Sequence, residues 1–139
     1  MPGTKMPYRT IDEIVLAHPK LFRGKLPRTI SDPPMGWGWI VHSLCKQFED
    51  ALSDEELETV HVRQIKEKFG TLRFHFDGRQ LPPQKLARLR ELVGEACDLS
   101  SRCCNQCGAA GKLVLIRTGC LRTLCDGCES CLNGTFQLP

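Results

Sequence analysis

The chain is short of several features, and each shortage closes off a class of protein. No apolar run in its 139 residues approaches the ~20 that a bilayer-spanning helix needs, so a membrane protein is not expected. The opening Met1-Pro2-Gly3-Thr4-Lys5-Met6-Pro7-Tyr8 has no stretch of signal-peptide hydrophobicity. A cytoplasmic location is therefore expected, and cytosol keeps thiols reduced. Phosphate-loop, zincin and nucleophile-elbow motifs are all missing. No His-x-Glu accompanies the cysteine pairs, which argues against a zinc deaminase. No aromatic residue is interleaved with the basic residues Arg102, Lys112, Arg117 and Arg122, so the stacking platform of single-strand binders is missing there. A large excess of one charge is absent too: 19 basic against 16 acidic residues leave +3.

What remains is ordinary for a soluble globular protein, with 41% apolar and 25% charged residues. The length fits one domain, or one domain with a small appended module. Charge is unevenly spread, from a net +3 over residues 1–40 to −5 over 41–60 and +3 over 61–80. Four cysteines bound to Zn²⁺ as thiolates would lower the whole-chain balance to about +1. Binding to a polyanion would then need local patches.

Residues 1–36 hold six of the nine prolines and read as a segment of broken regular structure. A short helix from Thr10 to Ala17 fits inside it, with Thr10 as N-cap and Glu13 completing a capping box. From Trp37 to Leu52, Ile40, Val41, Leu44, Cys45, Phe48 and Leu52 form one helical stripe. Ser53 is placed to cap a further turn. Two strands are expected at Thr59–Ile65 and Thr71–Phe76, joined through Lys66–Gly70; Leu72, Phe74 and Phe76 alternate with Arg73 and His75. Pro82 or Pro83 opens a last helix whose buried face is Leu86, Leu89, Val93 and Ala96 or Cys97.

Nine cysteines in a reduced compartment need an explanation. Cys104-Asn105-Gln106-Cys107 and Cys125-Asp126-Gly127-Cys128 are two C-x₂-C pairs 17 residues apart. Tetrahedral zinc takes four soft ligands, and each C-x₂-C turn presents two sulfurs from a tight knuckle. Lys112–Arg117 and Cys120–Leu124, around Thr118-Gly119, supply the hairpin between knuckles, so a structural Zn²⁺ on Cys104, Cys107, Cys125 and Cys128 is expected. Cys103 and Cys131 are alternative ligands by adjacency. Cys120 reads as a small packing residue, and Cys45 and Cys97 as core. Four protein ligands leave no open position, so the metal is expected to hold the fold and do no chemistry. An iron–sulfur cluster is the other metal reading, without the Cys-Pro that completes the ferredoxin pattern.

The run Gln64-Ile65-Lys66-Glu67-Lys68-Phe69-Gly70-Thr71-Leu72-Arg73-Phe74 resembles a signature of small zinc-ribbon proteins of phages and bacterial mobile elements. Gly36-Trp37-Gly38-Trp39, Cys104 to Gly108, and Arg122 to Cys128 resemble that family's other motifs. Cys128 stands where the family often has His, and both ligate zinc. The resemblance implies a phage or prophage origin, hence a bacterial host cytosol, and a zinc ribbon.

The resulting expectation is an α+β protein: a segment 1–36, a helix–hairpin–helix body 37–101, a zinc ribbon 102–131 and a tail 132–139. The expected function is non-catalytic binding of a macromolecular partner, expected to be a protein of host or phage, as in a phage-encoded inhibitor of a host system. Lys66, Lys68, Phe69, Arg73, Arg117 and Arg122 are the candidate contact residues. The acidic 49–58 stretch is the competing contact surface. Phe69 is expected either to tuck onto the helices or to form an exposed anchor, with tucking the favoured reading. Nucleic-acid binding through the ribbon arginines is the alternative. A hydrolase using His61 and His75 face to face across the hairpin comes third.

Overall fold

Thr10 starts the first helix because its side chain can replace a missing helical partner. In the structure, a computed structural model that describes residues 10–23 and 30–134, Thr10 Oγ1 accepts from the Glu13 amide at 3.2 Å. Glu13 Oε1 accepts from the Thr10 amide at 2.9 Å, completing the expected capping box of α1 (Ile11–Ala17). Of the expected proline-rich segment, residues 1–9 and 24–29 lie outside the described residues, as do 135–139 of the tail.

Pro19 begins a second helix as well as ending the first. Placed at the first helical position, where its missing N–H is harmless, it opens α2 (Pro19–Phe22). Arg23 ends that turn in the left-handed region, with φ 51°. A 3₁₀ turn, Met35–Trp37, leads into α3 (Gly38–Ala51), whose stripe buries Ile40, Val41, Leu44, Cys45 and Phe48 as expected. Ser53 caps α4 (Asp54–Leu57) with a second capping box, Glu56 answering its amide at 2.9 Å.

β1 (His61–Lys68) and β2 (Thr71–Asp77) pair antiparallel, with a register slip between Val62 and Gln64. The first strand starts later than Thr59 because the amides of Thr59 and Val60 bond back to the carbonyls of Glu56 and Leu57. It also runs further, through Lys68, so the connection is the two-residue turn Phe69-Gly70. Both residues have positive φ, 53° and 84°, as a tight hairpin turn of matching twist requires. Glu67 fixes the turn by accepting from the Gly70 amide at 2.7 Å.

α5 (Pro83–Ser100) lies across β2 and α3 and buries Leu89, Leu92, Ala96 and Ser100. Leu92 therefore belongs to the core, while Leu86 and Val93 pack at its margin and Cys97 is half-buried. β3 (Lys112–Leu115) and β4 (Leu121–Leu124) form a second antiparallel hairpin, followed by α6 (Asp126–Glu129) and a wide helical turn, Ser130–Gly134.

Two hydrophobic clusters result, and their boundary falls between adjacent residues. The large one draws Ile11, Ile14, Leu21, Phe22 and Ile30 from the N-terminal segment into the same core as α3, the first hairpin and α5, and extends to Cys103. Among the described residues the small one holds Cys104, Ile116 and Leu124 as its buried members.

Candidate metal centre

The first knuckle is built by backbone bonds on every side. The Cys104 amide donates to the Ala109 carbonyl at 2.7 Å, and the Gly108 amide closes the turn on the Cys104 carbonyl at 2.9 Å. The Asn105 amide donates to the Thr123 carbonyl at 2.9 Å, which fastens this knuckle to β4. The second knuckle follows β4 directly. Cys125 is the N-cap of α6, and its Sγ accepts from the Cys128 amide at 3.4 Å.

These two turns bring the four sulfurs of Cys104, Cys107, Cys125 and Cys128 within 4.8 Å of one another. Ligands at ~2.3 Å in a tetrahedron have sulfurs ~3.8 Å apart. The Cys107 and Cys125 sulfurs are 3.6 Å apart, so the set fits one tetrahedral ion. Burial pushes the Cys104 thiol up, but the amides of Cys125, Cys107 and Gln106 and the Cys128 thiol outweigh it, bringing the group to about 7. Cys128 is pushed upward by burial and by the neighbouring sulfurs. At Cys107 the Ala109 amide works downward, yet burial and the Cys125 and Cys104 sulfurs prevail and the thiol is raised. Four anionic sulfurs at this spacing repel one another, and a divalent cation is the charge that cancels the repulsion. The donor set and geometry suit Zn²⁺ or another thiolate-preferring metal.

The other cysteines have separate places. Cys103 is buried and points its thiol at backbone carbonyls, the nearest being Gly108 at 3.3 Å; burial raises its pKa. Cys103 and Cys131 both lie outside the four-sulfur set. Cys45 is fully buried, as a core residue should be, whereas Cys97 is only half-buried and donates to the Leu72 carbonyl at 3.0 Å at the core's margin. Cys120 is exposed, because β4 begins one residue later and Cys120 sits in the turn; it is not a packing residue.

The centre is fastened to the body at three points. The Trp37 indole, fully buried, donates to the Cys103 carbonyl at 2.8 Å. The Gly36 amide donates to the Asn105 carbonyl at 2.8 Å. Backbone passes so close here that a Cβ on Gly36 would overlap the Cys104 carbonyl and lie 2.7 Å from Gly108 N. Thr123, buried on β4, donates its hydroxyl to the Gly70 carbonyl at 2.6 Å, which joins the ribbon-like hairpin to the tip of the first.

The candidate contact residues are only partly gathered. Lys66 and Arg73 are cross-strand partners. Lys68 places its ammonium 5.5 Å from the centre of the Phe69 ring. Lys66 and Arg122 line one cleft of about 460 Å³ between the first hairpin and the first knuckle. Arg117 lies beyond the end of β3, so Arg117 and Arg122 are not on adjacent strands as expected. Arg73 is half-buried with its Nε unpartnered among the described residues, not the solvated side chain that alternation suggested. Phe69 does not tuck onto the helices; it is 65% exposed, because the tight turn throws its side chain outward.

His61 pairs with Asp77 and His75 with Gln64, so the two histidines do not face each other. The histidines that do meet were invisible to sequence reasoning, being 24 residues apart. His18, 2% exposed, bonds Glu49 through Nδ1 at 2.8 Å and His42 through Nε2 at 2.8 Å. No local period signals such a contact.

Comparison of the chain with protein families, curated proteins and solved structures finds no match. Among the described residues no helix is long and apolar enough to cross a membrane.

Proposed function

We propose that the chain is a non-catalytic binding protein whose C-terminal cysteine hairpin is a zinc ribbon and whose contact surface is the tip of its first hairpin together with the exposed side of the second. The observation that carries this reading is the exposure of Phe69. A bulky residue held at φ 53° with most of its surface in water is strained and wet at once. Leu113 lies close to Gly70 beside it, and further along the second hairpin Leu115 and Leu121, cross-strand partners, are also exposed.

Charge selects the class of partner. Lys66, Lys68 and Arg122 form no ion pair among the described residues, and they frame the apolar tip. Much of the acidic 49–58 stretch is already engaged, Glu49 with His18, Asp50 with Lys46, Asp54 with Lys20 and Glu56 with Lys85. The basic hairpin, not the acidic stretch, is therefore the contact surface, and its partner is an acidic protein surface with an apolar centre. The resemblance of residues 64–74 to phage proteins makes that partner a host protein, with the chain acting as a phage-encoded inhibitor. Zinc supplies structural cross-linking through Cys104, Cys107, Cys125 and Cys128, with every coordination position taken by protein.

The test is affinity capture from bacterial lysate with the intact protein and with Phe69→Ala and Lys68→Glu. One host protein retained by the intact chain and lost with both variants supports the reading. Capture unchanged by both variants, or a salt-dependent shift of nucleic acid lost with Arg122→Gln, overturns it.

A further inference from the structure

The phase of the β3–β4 ladder decides which backbone groups of β3 face outward. The Ile116 amide donates to the Cys120 carbonyl at 2.9 Å, which makes those two residues a hydrogen-bonded pair. Bonded and non-bonded pairs alternate along an antiparallel ladder, so Val114 with Arg122 and Lys112 with Leu124 are bonded pairs too. Leu113 with Thr123 and Leu115 with Leu121 are then the non-bonded pairs, whose backbone groups point away from the facing strand. Thr123 agrees with this phase, because its carbonyl faces outward and accepts from the Asn105 amide at 2.9 Å. The first knuckle thus covers β4 at that point. On β3 the outward N–H and C=O groups of Leu113 and Leu115 bond nothing among the described residues, and the sheet stops at two strands.

Soluble chains usually guard such an edge with charge, proline or a bulge. This one is left open. Leu113 and Leu115 are 50% and 65% exposed, the register against β4 is unbroken, and the one charge of the strand, Lys112, stands at its start.

We propose that this edge pairs with the same edge of a second copy of the chain, antiparallel about a two-fold axis at Val114, to give a four-stranded sheet. The free groups select that register. With the axis at Val114, Leu113 of each copy stands opposite Leu115 of the other, and every outward group gains a partner, four N–H···O=C bonds in all. With the axis at Leu113, Leu115 would meet Gly111, whose amide already donates to the Arg102 carbonyl at 2.9 Å. With the axis at Leu115, Leu113 would meet Arg117, past the end of the strand. Side chains and charge agree with the first register. Opposed residues share a face, so Leu121, Leu115 and Leu113 of the second copy form one row, and symmetry supplies another. Lys112 meets Ile116 of the second copy, not a second lysine, and its ammonium stays 3.7 Å from Asp126. An unrelated strand would have to reproduce this match of register and charge, whereas a second copy brings it by symmetry. The pairing uses the backbone edge and leaves the leucine face open, so it stands or falls independently of the acidic partner proposed above. So short an edge buries less than a standard interface, which makes the dimer a weak one.

Sedimentation velocity of the zinc-loaded full-length protein from about 10 μM to about 1 mM is expected to show a monomer–dimer equilibrium within that range. Residue-resolved amide exchange by nuclear magnetic resonance reads the edge directly: the Leu113 and Leu115 amides should exchange freely in the dilute sample and several-fold more slowly in the concentrated one. Leu115→Pro removes an outward donor and no β3–β4 bond, as proline on an edge strand allows. Symmetry makes that loss count twice, so dimerisation should weaken at least tenfold with zinc content unchanged. A monomer at every concentration, a dimer untouched by Leu115→Pro in protein that keeps its zinc, or amide exchange independent of concentration overturns the proposal. If Leu115→Pro loses its zinc, exchange in the unaltered chain decides alone. Slowing of the two amides only when a host protein is bound would assign the edge to that partner and overturn pairing with a second copy.

Discussion

The two ends of this molecule are held together by different physics. The body buries Trp37, Phe48, Ile14, Ile40 and many further side chains in one continuous cluster fed by five helices and a hairpin. Burial of each such side chain is worth ~1.5–3 kcal/mol, which is ample for a domain of this size. Among the described residues the cysteine hairpin buries three apolar residues, of which one is a cysteine. So small a cluster cannot offset the entropy of ordering some thirty residues, and small modules of this kind rely on a metal or a covalent staple. Among the described residues every cysteine is free of disulfides, and the four-sulfur set is the one group placed there to hold an ion.

The contrast is broken most strongly at the metal. Cys107→Ala combined with Cys125→Ala, or chelation of the native protein, should remove stoichiometric zinc and melt β3, β4 and α6, since metal-binding energy here is folding energy. The body should keep its slowly exchanging amides, because Ile65, Leu72 and Leu89 lie in the other cluster. Hydrogen exchange read segment by segment distinguishes this from one cooperative unit, in which protection would vanish everywhere together. Retention of both metal and melting profile would refute the division.

Next in size is Trp37→Ala, expected to cost ~3–5 kcal/mol through cavity formation. It also removes the indole bond to Cys103, so urea unfolding and zinc retention should both suffer. Gly36→Ala sharpens the comparison further. Its Cβ would meet first-knuckle backbone, and overpacking of that kind costs ~1–3 kcal/mol. The expected signature is weaker zinc retention against a competing chelator, with α3 and the first hairpin unaffected.

How these contacts read in the sequence depends on their range. Thr10 with Glu13 and Ser53 with Glu56 are bonds three residues long, and the sequence declares them. Leu72 and Phe74 declare a strand by alternation, and the two C-x₂-C pairs declare their own convergence because ligand chemistry fixes the spacing. Gly36 against Cys104, or His18 with Glu49 and His42, spans dozens of residues and obeys no period. Leu92 was hidden for another reason: it sits within a run of good helix formers, and only the position of α5 across β2 decides which flank is covered. Phe69 was misread because hydrophobicity argues for burial, whereas turn geometry decides direction.

The body carries a pH dependence that the cysteine hairpin does not explain. Burial, then the charges of His18 and Lys46, hold the His42 imidazole below its ordinary 6.5, against a smaller upward pull from Glu49. A histidine with a depressed folded pKa takes up its proton more readily in the unfolded chain. Its contribution to stability is present above 6.5 and is lost as the pH falls through the depressed value. Urea midpoints measured from pH 7.5 to 5.5 should therefore fall, and His42→Asn should flatten that slope. Elemental analysis along the series separates this effect from acid release of zinc; an unchanged slope in His42→Asn would assign the loss to the metal end alone.

The smallest expected effect has the most informative sign. Phe69→Gly removes a side chain that contributes little burial and relieves a left-handed backbone at φ 53°, which costs an ordinary residue ~1–2 kcal/mol. Glycine adopts that conformation freely but loses more entropy on folding, so the net expectation is a gain of under ~1 kcal/mol. A side chain retained for stability would give the opposite sign. Thermal melting that rises, or holds, while partner capture disappears would mean that the chain tolerates strain at this turn in order to present an aromatic ring to another molecule. A melting temperature lowered by several degrees would instead place Phe69 among the residues that hold the two hairpins together, and the exposed tip would cease to be a contact surface.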